Sequence, residues 1–377
     1  MKIIIAPDKF KGSLSSFEAC RAMEKGVLDI MPDAGVALFP MADGGDGFCR
    51  VLKHYLNTTT IHCSTVEAMG EPIISGYEWL PGNLVAIIET AAASGLAQVD
   101  RAKRDALKAN TIGTGLLIAN AIQRGAHTIW LGLGGSATTD MGTGILYALG
   151  FRFFNAGKQP LMPCGGNLQH INSIEIPSGL PAIRFRLACD VFNPLYGPNG
   201  AAFVYAPQKG ADKEMVTAMD RGLRNANRVF GRYSKKDFST QPGAGAAGGI
   251  AAGLGHFFDI EICSGASLVL ESSGLSKSLA GADWLFTGEG RFDEQSLQGK
   301  LAGKLLGLAN QSGVPCGIFC GQADSGFTAT SSLKVSFVCP MANNHCPVEK
   351  SILEAGSLLT ERVRVQMVAL KNLSEKG

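Results

Sequence analysis

The chain has 377 residues, enough for two or three domains, with 34 basic against 32 acidic side chains and a net charge of +2. So even a balance gives no field that would gather nucleic acid or an anionic membrane, and no run approaches the ~18 consecutive apolar residues of a membrane span. Ten cysteines without a C-x-x-C pair, mostly inside apolar runs, read as reduced thiols of a cytoplasmic protein.

In chain order, residues 2–6 read as a short buried strand, and Ser15-Ser16-Phe17-Glu18 is a capping-box pattern opening a helix to about Asp29. The loop "PDKFKGS" joins them. A second strand over 36–39 runs into "PMADGGDG" and another helix. The middle predicts strands near 60–66 and 84–89, a helix near 112–124, the strand "HTIWLGL" and the loop "GGSATTDMG". Strands follow in "RFRLACDVFNP" and "AAFVYA", then an amphipathic helix over 212–230. The segment "QPGAGAAGGIAAGLG" is too apolar for a linker and reads as an ordered turn entering a helix. From about 280 strands and helices alternate again: "DWLFT", a helix over 299–310, "CGIFC", "KVSFVC" and a last helix over 348–370. The pattern predicts an open α/β domain from both chain ends (1–60 with 275–377), interrupted by a second α/β domain (61–274). The active site is expected in a cleft between them.

Gly, Ser and Thr crowd the strand-to-helix junctions "NTIGTG", "GLGGSATTDMGTG" and "PGAGAAGG", where backbone N–H groups and a helix N-terminus suit an anion. Tight turns and caps would need the same residues. The second loop fits the dinucleotide pattern G-x-G-x-x-A, but no acidic residue lies between Asp140 and Glu175 to hold a ribose, which argues against NAD. "GLGGSAT" also resembles the phosphate loop of galactokinase-type kinases. A Walker A loop is absent.

Carboxylates stand where strands are expected to end: Asp8, Asp43, Asp46, Asp140, Asp190, Glu289 and Asp293. Phosphoryl transfer needs oxygen ligands for Mg²⁺, a carboxylate near the attacking hydroxyl and cations for the migrating charge; Lys9, Lys11, Arg291 and Lys300 can supply the last. For Asp46 and Asp140, turn or helix capping explains the residue equally well. The six histidines show no metal or nucleophile spacing, and "CPMANNHC", with Cys339, His345 and Cys346, lacks a fourth ligand and reads as a strand end and loop.

Taken in order, "APDKFKGSL", "PMADGGDG", "ETAAASGL", "GLGGSATTDMGTG", "CDVFNPLYGPNGAA", "PQKGA", "PGAGAAGG" and "TGEGRFDEQSLQGK" resemble the bacterial type-1 glycerate kinases over roughly residues 3–322. The resemblance implies ATP- and Mg²⁺-dependent phosphorylation of glycerate to 2-phosphoglycerate and a flavodoxin-like domain interrupted by a second α/β domain. Departures are Lys9 where serine is frequent, Asp46 and Leu116 where glutamate is, and Met141 where glycine is.

The expected catalytic groups are Asp190, Asp8, Lys11 and Arg291, with Glu289 and Asp293 on the metal. Substrate or phosphate contacts are expected from Lys9, Ser13, Asp43, Gly44, Gly45, Gly113, Thr114, Gly134, Gly135, Ser136, Asn193, Gly288 and Lys300. A kinase for another hydroxy acid or sugar acid, and a nucleotide-binding sensor without turnover, are the alternatives. A homodimer stays open, and neither nucleic acid nor membrane is expected as a partner.

Overall fold

The computed structural model describes residues 1–180, 182–297, 300–324, 334–342 and 348–374. Its strands, in chain order, are β1 (Lys2–Ile5), β2 (Gly35–Leu38), β3 (Thr59–Val66), β4 (Pro72–Leu80), β5 (Val85–Glu89), β6 (Thr128–Gly132) and β7 (Arg152–Phe154). They continue as β8 (Pro160–Leu161), β9 (Ser173–Glu175), β10 (Arg184–Ala188), β11 (Asp259–Cys263), β12 (Trp284–Phe292), β13 (Cys316–Ala323) and β14 (Phe337–Pro340). The chain forms two compact units, one of Met1–Asp43 with Ala266–Gly377 and one of Gly44–Gly265.

The first unit is a parallel sheet in the order β14-β13-β12-β1-β2. Counted within the unit, that order is 2-1-3-4-5, the flavodoxin-like one, in which the winding direction reverses between β1 and β12. Strands covered on both faces are nearly all apolar, and β1 reads Lys-Ile-Ile-Ile. On one face Ile3, Ile5, Phe286 and Phe319 pack against Met23 and Val27 of the helix Ser16–Leu28 and Leu359, Val363 and Met367 of Ala355–Ser374. The opposite face sets Phe292, Ile318 and Cys320 against Ala302 of the helix Leu301–Gln311. The capping box is formed: the Ser15 hydroxyl accepts from the Glu18 amide, and the Glu18 carboxylate accepts from the Ser15 amide.

The second unit has a six-stranded sheet in the order β11-β10-β6-β5-β4-β3, parallel from β11 to β5 and antiparallel through β4 and β3, and a small antiparallel sheet β8-β7-β9. The division between units falls earlier in the chain than residues 60 and 275. The helix Phe48–Tyr55 belongs to the second unit because the Cys49 amide donates to Glu89 and the Cys49 thiol to the Ile87 carbonyl, both in β5. Helix Gly265–Ser273 joins the first unit through Ser267, which accepts from Lys304.

Two elements differ from expectation. "AAFVYA" is not a strand: Ala201–Tyr205 is helical, and a six-residue apolar run carries no period that distinguishes the two. The strand "DWLFT" does not stop at Thr287 but runs on through Gly288 and Gly290 to Phe292, paired with β13 from Leu285. A side chain at Gly288 would stand 2.5 Å from the Phe319 carbonyl oxygen, so glycine serves a close approach there. The segment "QPGAGAAGGIAAGLG" does turn into a helix, Ile250–Gly255. Of "CPMANNHC", β14 contains Cys339 and Pro340, while 343–347 lie outside the described residues, as do 298 and 299 of the "LQGK" stretch.

Asp140 holds the glycine-rich loops of the second unit together. Wholly buried, it accepts from the amides of Thr111, Gly142 and Gly144 and from the Thr111 hydroxyl, tying the starts of helices Ile112–Gln123 and Thr143–Ala148. Met141, at the position expected of glycine, has a left-handed φ of 55°. Asp140→Ala strands these buried donors and is expected to destabilise the protein by about 3–5 kcal/mol, read as a lower midpoint in urea.

Candidate active site

Backbone pairing carries β1 and β12 past their side-chain core into the loops. The Ala6 amide donates to the Phe286 carbonyl, the Asp8 amide to that of Gly288, and the Thr287 hydroxyl to that of Ala6. Asp8 and Glu289 therefore come to the carboxyl edge together at the reversal of winding, where open α/β sheets bind ligands. A cavity of about 340 Å³ opens there, lined by Asp8, Lys9, Lys11 and Ser13 after β1, Asp43 after β2, and Glu289 and Arg291 of β12. Gly321 and Gln322 of β13 and one face of the helix Val348–Leu353 complete the wall.

The electrostatics are strained by design of the backbone. Burial, then the neighbouring Asp43 charge, push the Asp8 carboxyl up to about 8, although Lys9 and the Lys9 amide, which donates to Asp8 at 2.7 Å, act the other way. Burial likewise pushes Glu289 up to about 7, against the hydrogen bond from Ser296 and the charge of Lys300. Glu289 Oε1 is buried and accepts no hydrogen bond among the described residues. Lys9 reaches the Asp43 carboxylate at 2.7 Å. Ser13 donates its hydroxyl to the Phe10 carbonyl.

Other expected groups take different places. Arg291 extends from the cavity lining to a 2.9 Å pair with Asp324, both well exposed. Asp293 caps the short helix Glu294–Leu297, its Oδ1 accepting from the Ser296 amide. Lys300 is the residue before helix Leu301–Gln311, within the field of Glu289. Gly288 lies in the sheet, as described.

In the second unit Asp190 follows β10, with both carboxylate oxygens inaccessible to solvent. Asn193 bridges its own loop and the next helix, donating to the Asn199 carbonyl and accepting from the Tyr205 hydroxyl. The glycine loops interlock backbone to backbone: a side chain on Gly113 would lie 1.9 Å from the Val66 carbonyl oxygen, and one on Gly134 2.4 Å from Gly45 Cα. A side chain on Gly44 would lie 3.1 Å from Ala188 Cβ, and one on Gly135 2.6 Å from Asp46 Oδ1. Thr114 is buried and donates to Ser94.

One group escaped sequence reasoning. Lys209 is buried, and its ammonium donates to the Ser136 hydroxyl at 3.1 Å and the Thr138 carbonyl at 2.5 Å; burial pulls it down to about 7. The only signal was the motif "PQKGA", and a lysine beside glycine ordinarily predicts an exposed turn.

A parallel sheet with acids and cations gathered at its winding reversal is the arrangement of an α/β ligand-binding protein. Residues 3–371 match the glycerate kinase family. Curated relatives include the glycerate kinase of Halalkalibacterium halodurans, 35% identical with 96% of each chain covered, and the glycerate 2-kinase of Escherichia coli K12, 39% identical over 82% of this chain and 81% of the other. Among solved structures, glycerate kinase 2 from Salmonella typhimurium LT2 is 35% identical, with a TM-score of 0.83 over 100% of this chain and 99% of the other. The chain belongs to the glycerate kinase family, and it is an enzyme, a phosphotransferase with an alcohol group as acceptor. No helix among the described residues is long and apolar enough to cross a membrane.

The raised acids carry a stability consequence. Folded Asp8 keeps its proton until about pH 8, whereas the unfolded chain releases it in the usual carboxylate range, so between the two the folded state binds more protons and loses stability as pH rises. Asp8→Asn is expected to raise the thermal midpoint at pH 8 and to leave it nearly unchanged near pH 4, where the wild-type carboxyl is neutral too. A variant equally or less stable than wild type at pH 8 would show that Asp8 is not strained.

Proposed function

We propose that this enzyme transfers the γ-phosphoryl group of ATP to the C2 hydroxyl of glycerate, giving 2-phosphoglycerate and ADP, and that the cavity of the first unit holds the reacting end. The observation that carries this reading is the meeting of Asp8 and Glu289 with Lys9 and Lys11 in one cavity at the winding reversal. A three-carbon acid with a transferring phosphoryl group brings anionic oxygens to the cations and a hydroxyl to the acids.

Among the described residues no three His, Cys, Asp or Glu side chains stand close enough to hold a metal ion unaided. Mg²⁺ usually takes one or two carboxylates and completes its shell with water and phosphate oxygens. Glu289 fits that demand as a carboxylate ligand: its Oε1 is a buried acceptor without a donor among the described residues, and its charge adds to the causes that raise Asp8, which stays free to act on the hydroxyl. When bound, the cation would neutralise charge on the phosphate oxygens.

Asp8 then has two tasks, orienting the glycerate hydroxyl and accepting its proton as the oxygen attacks phosphorus. The bond from phosphorus to the bridging oxygen breaks, and ADP leaves with the electron pair. An acid whose proton affinity lies near neutrality serves this well, because its base form is available and still basic. Lys9 and Lys11 balance charge on the substrate carboxylate and the moving phosphoryl group, a stabilisation that counts most where water is excluded.

Phosphorus NMR of the product is expected to show 2-phosphoglycerate, formed with stoichiometric ADP; turnover of other hydroxy acids but not glycerate would replace the substrate, and binding without turnover would make the protein a sensor. Asp8→Asn should lower kcat at least ~10²-fold, the scale of a lost general base, and abolish the rise of kcat/KM between pH 6 and 8 that its titration gives the wild type. Wild-type turnover in a folded Asp8→Asn protein would remove Asp8 from the chemistry.

A further inference from the structure

The two larger sheets have four edges, and three carry the usual defences against pairing with another chain. β2 and β14 are four residues long, and β14 ends in Pro340. β11 bears Asp259 and Glu261, engaged by Arg184 and Arg186 of β10. Short length, proline and charge are the common guards of an edge strand.

The fourth edge, β3, has none of them. Thr59–Val66 reads TTIHCSTV: eight residues, no Asp, Glu, Lys or Arg, no proline and no glycine. Its inner side makes an unbroken antiparallel ladder with β4, from Thr59 opposite Trp79 to Val66 opposite Pro72. No strand pairs with its outer side among the described residues. At its end Thr65 donates to the Gly113 carbonyl and Gly113 packs against the Val66 carbonyl, so the open stretch is Thr59–Ser64, about 20 Å long at the usual rise per residue, with alternate amides and carbonyls pointing outward. His62 and Ser64 are exposed, and Ile74, opposite Ser64 in β4, is 79% exposed.

We infer that β3 is a dimerisation edge, pairing antiparallel with β3 of a second copy of this chain about a two-fold axis. Antiparallel pairing is self-complementary, since the same strand supplies donors and acceptors in reversed order, and a C2 contact closes without leaving a free site. An uncharged strand meets its copy without opposing like charges, which fits a second copy better than a charged partner. The joined sheet would have twelve strands, and Ile74 adds apolar surface beside the seam. This inference stands independently of the reaction proposed above, because no residue of β3 belongs to the active site.

Sedimentation velocity of the full chain is expected to give twice the 39.5 kDa chain mass. His62→Lys with Ser64→Lys places cationic side chains of both copies along the seam without touching a buried residue. That variant should sediment as a monomer with an unchanged circular dichroism spectrum and unchanged kinase activity. Hydrogen exchange of wild-type β3 amides should slow about tenfold or more as concentration rises through the dimerisation range. A monomeric wild type, a dimer indifferent to the two lysines, or β3 exchange independent of concentration would each overturn the inference.

Discussion

The backbone ladder between β1 and β12 is the constraint on which the first unit rests. The Thr287 hydroxyl bonds to the Ala6 carbonyl across 281 residues of sequence, and the Asp8 and Ala6 amides extend the same seam. Because parallel strands point their carboxyl ends the same way, the ladder delivers the next side chains, Asp8 and Glu289, to one edge. Neither acid has a choice of neighbourhood: sheet geometry puts each where water is scarce.

That placement costs stability and raises proton affinity together. Two carboxyls with raised proton affinities, beside Asp43 and with Lys9 as the close counter-charge, are an arrangement that packing alone would not favour. Elsewhere the molecule shows what an acid selected for structure looks like. Asp140 is more deeply buried than Asp8, yet backbone amides and a hydroxyl fill its oxygens. The contrast lies in donors: Asp140 is saturated by its own loops, whereas Glu289 keeps a buried oxygen available.

Much of this was legible in the residues. The capping box at Ser15, the helix over 112–124 and the acids at strand ends follow from local pattern, and the ordered motifs pointed to the family. What local pattern could not show was partnership at long range. The strand "DWLFT" gave no sign of running on through Gly288, since the Phe319 carbonyl that excludes a side chain there lies on another strand. The glycine-rich loops looked like phosphate cradles, and Gly113 and Gly134 prove to be needed for backbone contact within the unit. Lys209 was invisible because burying an ammonium depends on acceptors at Ser136 and Thr138 that only folding supplies.

The division of the chain also orders its synthesis. Residues 44–265 form one continuous unit, complete as soon as its last strand has left the ribosome. Residues 1–43 emerge before that unit, yet β1 gains its neighbour β12 only after residue 284 is made. Until then β1, with its three consecutive isoleucines, has β2 alone to pair with, and two short strands do not make a stable sheet. β1 is thus made long before it can be buried, and the nascent chain carries its three isoleucines exposed while the middle folds.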